Sequence, residues 1–162
     1  MNKLKEMRGN RRLLCAAALL ALFAVQLVMH MNCDNLILDD WVFRDATEGG
    51  ASIASFLAMR WHTWSSRLLI EGLLCVTTKS IWLWRVLDSL AMVLMAFSLC
   101  RLANAEKRPE MLGLAALLVT SVPFAILRST GWQATGRNYY VPLACAMTAC
   151  IPLADALWKR KT

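Results

Sequence analysis

The sequence contains one stretch that decides the class of fold, the uncharged run LLCAAALLALFAVQLVM at residues 13–29. Its 17 residues are close to the shortest length that crosses roughly 30 Å of hydrocarbon as a helix. The residues before the run are basic at Lys3, Lys5, Arg8, Arg11 and Arg12. Because Lys and Arg accumulate on the cytoplasmic side of membrane spans, this pattern predicts a transmembrane helix whose N-terminus lies inside.

A secretory signal peptide would also begin with basic residues followed by an apolar run, and it would end in small residues at its cleavage site. Nothing of the Ala-x-Ala kind closes the run at 13–29. The residues before Cys33, His30-Met31-Asn32, also lack the small side chains of a lipoprotein cleavage site. We therefore expect the run to remain in the protein as an uncleaved span.

The composition of the whole chain agrees with a membrane protein. Of its 162 residues, 58% are hydrophobic and the mean hydropathy is +0.46, whereas soluble domains are about 45–50% apolar. The net charge of +7 is carried by clusters that flank apolar runs, as in membrane proteins. No nucleic-acid-binding signature accompanies them, so we expect no nucleic-acid partner. The later clusters are Arg101, Lys107 and Arg108, and Lys159, Arg160 and Lys161.

The segment after the first span is predicted to lie outside and to contain two juxtamembrane helices. After a break at Gly49-Gly50, one helical face is indicated by the spacing of Ile53, Phe56, Leu57, Trp61 and Trp64. Tryptophan on such a face suits a helix that lies in the membrane interface. The apolar run 68–76 is too short to span and contains an acid, so it is predicted to form the second helix, with a turn at 77–80.

Three further runs are predicted to cross the membrane, at 81–102, 111–127 and 139–158. Trp82 and Trp84 are expected to form an aromatic belt at the outer end of the second span. Arg85 and Asp88 lie three residues apart near the same end, and we expect them to form an ion pair that lowers the cost of both charges.

The predicted fold is therefore all-α and integral to the membrane, with four transmembrane helices and external juxtamembrane helices between the first and second spans. Of the 18 Lys and Arg residues, 11 lie inside or at the inner end of a span, in groups of five, three and three, with Arg101 at the inner end of the span 81–102. This topology predicts a multi-pass protein of the cell inner membrane with both termini in the cytoplasm. The segments are a cytoplasmic N-terminus at 1–12, a span at 13–29, an external loop at 30–80, a span at 81–102, a cytoplasmic loop at 103–110, a span at 111–127, an external loop at 128–138, a span at 139–158 and a cytoplasmic tail at 159–162.

The external loop contains two adjacent carboxylates in the motif Asp39-Asp40-Trp41-Val42-Phe43. Neighbouring negative charges repel, so a chain that keeps them together usually offers them water, a cation or a substrate. Either carboxylate could act as a general base, and the pair could hold a divalent cation. The alternative is that both are solvated surface acids.

Arginine and tryptophan side chains supply further candidates on the same predicted face. Arg67 and Arg137 adjoin predicted helices and could bind a phosphate through bidentate hydrogen bonds. Trp64 could stack on a sugar or anchor a helix at the interface. Among the remaining acids, we expect Glu71 to pair with an arginine or face water, and Asp155 to form a salt bridge on the cytoplasmic side.

The order of these features resembles the start of the GT-C superfamily of polytopic membrane glycosyltransferases, with an inward N-terminus, one span, an acidic motif and external helices. More narrowly, three motifs are similar to those of bacterial membrane proteins related to O-antigen glucosyltransferases. The motifs are Asp39-Asp40-Trp41-Val42-Phe43, Trp64-Ser65-Ser66-Arg67 and Gly136-Arg137-Asn138-Tyr139-Tyr140-Val141-Pro142. In place of the second motif this group tends to have Trp-Asn-Gly-Arg, and the third is similar to its Asn-Tyr-aromatic-x-Pro signature. The resemblance covers roughly residues 13–158.

This resemblance implies transfer, with inversion, from a polyprenyl-phosphate sugar at the outer face of the membrane. In that superfamily an aspartate of the first external loop commonly acts as the base toward the acceptor, and here it would be Asp39 or Asp40. Arg67 and Arg137 would bind the lipid phosphate. The remaining candidates for substrate binding, taken from the matching motifs, are Trp64, Asn138 and Tyr139.

The chain departs from the superfamily pattern in two ways. Ser65-Ser66 stands where the group has Asn-Gly, and superfamily members usually have at least twice as many spans. The resemblance therefore implies a truncated or partial glycosyltransferase, whose partners would be membrane lipid, a polyprenyl-phosphate sugar and, as a further candidate, another membrane subunit. The alternative is a non-catalytic multi-pass membrane subunit or scaffold that a partner completes.

Overall fold

A computed structural model of the protein describes residues 2–33, 36, 39–63, 66–121 and 132–159, with the backbone alone for 2–9 and Thr47. This part of the chain is all-helical and contains no strand, which confirms the predicted class. Its helices are α1 (Asn2–Met31), α2 (Asp39–Glu48), α3 (Ile53–Thr63), α4 (Leu68–Thr77), α5 (Ile81–Leu102), α6 (Pro109–Thr120), α7 (Gln133–Thr135), α8 (Val141–Ala149) and α9 (Ile151–Lys159), with a π-helical turn (Gly136–Tyr140) between α7 and α8.

Three stretches of the described residues are long and apolar enough to cross a membrane. They are Asn10–Met31 in α1, Ile81–Leu102, which is all of α5, and Gln133–Lys159, which runs from α7 to α9. The protein is therefore a multi-pass membrane protein, as its composition predicts. Helix α6 has 12 residues and is shorter than a span, and residues 122–127 of the predicted span 111–127 lie outside the described part.

The start of the last long stretch differs from the sequence prediction. Residues 133–138 belong to the predicted external loop 128–138, and they are already helical. The buried Asp40 carboxylate on α2 accepts a hydrogen bond from the Ala134 backbone N–H, at 2.7 Å, in the first turn of α7. Because a helix leaves its first N–H groups without partners, this distant side chain stabilises a start that the local sequence does not indicate.

Helices α1, α5, α6 and α8 pack around a single apolar core. Small side chains allow close approach of the helices, as is typical of helix packing in membranes. Several of the buried members, such as Ala96, Ala115 and Ala144, are of this kind. The remaining buried members of this core are Leu22, Met92, Met95, Cys100, Leu112 and Val119.

Polar contacts between the helices define two ends of the bundle. Arg85 Nε at the start of α5 donates to the His30 carbonyl at the end of α1, at 3.2 Å, so these two helices run in opposite directions. The hydroxyls of Ser98 and Thr148 lie 2.9 Å apart, and Arg101 Nη2 lies 2.7 Å from Asp155 Oδ2. Helix α5 and the stretch from α7 to α9 therefore run in the same direction.

The end where α1 finishes and α5 begins is covered by α2, α3 and α4, and we call it the α2–α4 end. The opposite end carries a cluster of cationic side chains, and we call it the basic end. Helix α6 finishes at the α2–α4 end, because Gln26 Nε2 near the end of α1 donates to Thr120 Oγ1 at 3.3 Å. The cations of the basic end include Arg11, Arg12, Arg101 and Lys107.

The three short helices of the α2–α4 end have their own apolar core. Phe43, Phe56, Leu74 and Cys75 are buried there together with Ala134 of α7. Helices α3 and α4 occur where the sequence predicts them. Helix α2 was not predicted.

The ends of α2 follow from its sequence. Asp39 and Asp40 occupy its first turn, where negative charge is favoured by the helix dipole. The predicted break at Gly49-Gly50 is confirmed, because α2 ends at Glu48 and Gly50 adopts a φ of +83° that few other residues tolerate.

Candidate functional site

A cavity of about 250 Å³ opens at the α2–α4 end, and we call it the Asp39 pocket. Three of its lining residues, Asp39, Arg67 and Asn138, were singled out in separate parts of the sequence. Their side chains come together only through the packing of α2, α4 and the π-helical turn. The other lining residues are Val42, Phe43, Arg60 and Ala134.

The two adjacent carboxylates have different surroundings. Successive residues of an α-helix point about 100° apart around its axis. Asp39 is exposed and faces the Asp39 pocket, whereas Asp40 is 1% exposed and bonds the backbone of Ala134. The Asp39-Asp40 motif therefore contains one carboxylate that a ligand can reach and one that stabilises the fold.

Replacing Asp40 with Ala is expected to lower the free energy of unfolding by about 2 kcal/mol, because the Ala134 N–H would be buried without its acceptor. Asp40→Asn retains an oxygen at that position and is expected to cost less. Denaturation in mixed micelles measures both effects. Asp45→Ala, at an exposed acid on the same helix, is the control, and an equal loss in this variant would contradict the structural role of Asp40.

Arg67 is positioned by its place directly before α4 and by a partner far along the chain. It is the residue that precedes the first turn of α4. Its Nη1 donates to Asn138 Oδ1 at 2.9 Å. Two residues predicted to bind substrate thus form one hydrogen-bonded unit in the wall of the Asp39 pocket.

Arg60 also lines the pocket, although it lies outside the three sequence motifs. Its Nε and Nη2 bond the two carboxylate oxygens of Glu71 at 2.9 and 3.0 Å, which confirms the predicted pairing of Glu71 with an arginine. These hydrogen bonds, more than the nearby charges, raise the pKa of Arg60 above the ordinary arginine value. The guanidinium also lies 5.9 Å from the ring centres of both Phe43 and Phe56.

The charges in and behind the Asp39 pocket balance. Arg60 and Arg67 contribute two positive charges, and Asp39 and Glu71 contribute two negative charges. An anionic ligand would therefore depend on a directed contact with Arg67 and not on an excess of positive charge. The exposed carboxylate of Asp39 would face the same ligand from the α2 side.

Arg137 does not lie in the Asp39 pocket. It is 1% exposed, and its Nη1 donates to Asp88 Oδ1 inside the bundle. The guanidinium is therefore enclosed by protein and does not face the Asp39 pocket, and a phosphate-binding role of Arg137 stays a prediction. Tyr139 is 68% exposed and does not line the pocket. Trp64 lies outside the described residues.

Asp88 and Arg137 belong to a buried polar cluster that also contains His30 and Trp84. Trp84 Nε1 donates to Asp88 Oδ2 at 2.7 Å, and His30 Nε2 lies 3.6 Å from the same oxygen. Trp84 is 0% exposed, so its predicted role in an aromatic belt is wrong. A Cβ atom on Gly136 would lie 3.0 Å from Asp88 Oδ2, which explains why a glycine stands there.

The predicted ion pair between Arg85 and Asp88 is also wrong. Arg85 instead donates to the carbonyls of His30 and Met31 at the end of α1, at 3.2 and 3.4 Å. The His30 carbonyl also accepts from the Cys33 N–H just beyond the helix, at 3.3 Å, and a cation near a helix C-terminus is favourable. Residues three apart can pair on a helix, but Arg85 bonds carbonyls of α1 and Asp88 bonds Arg137 of the π-helical turn.

A second and larger cavity of about 410 Å³ lies at the α2–α4 end. We call it the Arg44 cavity, and it contains none of the residues predicted to form a site. Its lining residues are Leu36, Arg44, Glu48, Thr78, Lys79, Ile81 and Gln133. In the part of the chain that the structure describes, no group of three or more His, Cys, Asp or Glu side chains could hold a metal ion.

Comparisons with protein-family models, with curated proteins and with solved structures give no match to this chain. The function is therefore inferred from the Asp39 pocket and from the sequence motifs that line it.

Proposed function

We propose that this protein is a GT-C-like membrane glycosyltransferase unit that acts with a polyprenyl-phosphate-linked sugar at the outer face of the membrane. One observation carries the proposal. Asp39, Arg67 and Asn138, from three separate sequence motifs, line one cavity at the α2–α4 end. A carboxylate that can accept a proton and a guanidinium that can bind a phosphate thus face the same space.

The proposal includes four spans in the cell inner membrane, with both termini in the cytoplasm and the α2–α4 end outside. The direction of α6 supports it, because a crossing through 111–127 would connect the basic end to the α2–α4 end. The cations at the opposite end, among them Arg11, Arg12 and Arg101, support the orientation. Cysteine-accessibility labelling of a Ser52→Cys variant in intact cells tests which side the α2–α4 end faces.

For this reaction, only the reacting groups have to fit into the Asp39 pocket, and the rest of the lipid can remain outside it. A cavity of about 250 Å³ is smaller than the roughly 300–1,000 Å³ of sites that enclose a drug-sized ligand. In this arrangement the sugar phosphate enters the pocket while the prenyl chain remains in the bilayer. Asp39 takes the proton of the acceptor hydroxyl as its oxygen attacks the anomeric carbon. The polyprenyl phosphate leaves with the electrons of the broken bond, and Arg67 stabilises its charge.

Arg67→Gln is expected to weaken binding of polyprenyl phosphate by about 10- to 100-fold, because a charged hydrogen bond is worth about 1.5–3 kcal/mol. The measurement is a titration of the purified protein in nanodiscs with polyprenyl phosphate. Arg44→Gln is a matched control, since it removes an arginine from the same end but outside the Asp39 pocket. Equal affinities for the two variants would exclude Arg67 as the phosphate ligand.

A second candidate function is a non-catalytic membrane subunit or scaffold that a partner completes. The balanced charges of the Asp39 pocket favour it, because Glu71 already binds Arg60 through both carboxylate oxygens. This function predicts that the purified protein binds no polyprenyl phosphate, with or without Arg67, and that it co-purifies with another membrane protein from mild detergent.

A further inference from the structure

The basic end contains a cavity of about 420 Å³ that the proposed function does not use. Arg11 and Arg12 line it from α1, and Lys107 lines it from the loop between α5 and α6. The sequence separates the two groups by more than 90 residues, and the packing of α1 against α5 and α6 brings them together. Glu106 and Cys15 complete the lining.

We infer that this cavity binds the headgroup of an anionic phospholipid from the leaflet at the basic end. Three cationic residues line it from two elements. Basic pockets between transmembrane helices are suited to lipid phosphates, which they attract by charge. The inference does not depend on the chemistry of the Asp39 pocket.

The loop that carries Lys107 is fixed in place. Asn104 adopts a φ of +53°, and the Ala105 N–H donates to the Cys100 carbonyl at 2.8 Å, which closes the end of α5. Arg101 Nη1 holds Glu106 Oε1 at 2.9 Å, while its Nη2 holds Asp155 at 2.7 Å. The cavity is therefore formed before any ligand binds, which reduces the entropy lost on binding.

Two acids, Glu106 and Glu110, lie near Cys15 and offset only part of the positive charge of the cavity. Arg101 neutralises part of the charge of Glu106, and Lys107 Nζ lies 3.8 Å from Glu106 Oε1. Arg11 and Arg12 have no ion pair with any side chain that the structure describes. Two arginines thus face the cavity with their charge available to a phosphate.

The charge of the cavity indicates the kind of headgroup. Phosphatidylglycerol has a net negative charge that Arg11 and Arg12 would attract, whereas phosphatidylcholine has no net charge.

The apolar surface next to the cavity favours a lipid over a soluble phosphate. Leu13 and Leu14 follow Arg12 directly and are exposed on α1. In a membrane, this surface meets acyl chains at the depth where the arginine side chains reach the headgroups. A ligand that binds here would therefore touch both a cationic cavity and an apolar surface, as a phospholipid does.

The test compares two double variants of the full chain by native mass spectrometry of the purified protein in detergent. Arg12→Gln/Lys107→Gln is expected to weaken phosphatidylglycerol binding about thirtyfold, because each cation near a membrane surface contributes about fivefold. Arg44→Gln/Lys79→Gln removes two cations from the Arg44 cavity and is expected to leave binding unchanged. Thermal unfolding of both variants verifies that they are folded.

Three results would overturn the inference. The first is equal loss of phosphatidylglycerol binding in the two double variants. The second is equal binding of phosphatidylcholine and phosphatidylglycerol by the unchanged protein. The third is complete displacement of the lipid by inorganic phosphate in excess, which would identify a site for a soluble anion. Retention of phosphatidylglycerol in the presence of phosphate, with loss only in the Arg12/Lys107 variant, would support it.

Discussion

Asp39→Asn is expected to lower the rate of sugar transfer by about 10²- to 10⁴-fold, the usual contribution of a general base. Asparagine has the shape of aspartate but cannot take the proton of the acceptor hydroxyl. Since Asp39 is exposed, the change should alter the free energy of unfolding by no more than about 0.5 kcal/mol. The measurement is transfer of labelled sugar from the lipid-linked pool to acceptor in membranes that contain the variant.

Two other acids of α2 serve as controls for this result. Asp45→Asn changes an exposed acid that does not line the Asp39 pocket, so transfer should be unaffected. Asp40→Asn should reduce transfer only as far as it reduces the amount of folded protein. If Asp39→Asn retains full transfer activity, Asp39 is not the base, and the proposal that this protein is catalytic loses its main support.

Arg137→Met is expected to lower the free energy of unfolding by about 3–5 kcal/mol, because the Asp88 carboxylate would be buried without its guanidinium partner. Asp88→Asn should also be costly, since Arg137 would then be the unpaired charge. The double variant Asp88→Asn/Arg137→Met contains no buried charge at this pair and should lose less than the sum of the single losses. Reversible denaturation in mixed micelles measures all four proteins of the cycle.

The same measurement separates the observed ion pair from the one that the sequence predicted. A cycle of Asp88→Asn with Arg85→Met should show a smaller coupling than the cycle of Asp88 with Arg137, because Arg85 bonds carbonyls at the end of α1 and not Asp88. Strong coupling between Asp88 and Arg85, or additivity between Asp88 and Arg137, would contradict the pairing of Asp88 with Arg137.

The helices of this protein were largely predictable because their signals are local. The boundaries of α5 agree with the predicted span 81–102, since a long apolar run has one stable form in a membrane. Helix α4 begins at the predicted residue, and the predicted salt bridge of Asp155 occurs with Arg101. Helix α2 was missed because it is short and polar, and its stability comes from burying Phe43 against other helices.

The candidate site was predictable in part, because its motifs are also local signals. The motifs drew attention to Asp39, Arg67 and Asn138, and these three do lie together. They also drew attention to Arg137, which is enclosed in the bundle beside Asp88. Neighbours such as Arg137 and Asn138 share a motif, but within a helix they point in different directions. A motif therefore shows that a segment matters without showing which of its side chains reaches a ligand.

The sequence by itself determined that this protein is helical, that it crosses a membrane several times, and which segments form its longest helices. These properties depend on hydropathy and length, which are carried by consecutive residues. Only the tertiary structure decided which partner each charged side chain meets. Asp39 and Asp40 are adjacent in the chain, yet one is exposed in a pocket and the other is buried under α7. A buried charge is stable only where a partner meets it, and that partner comes from helices far along the chain.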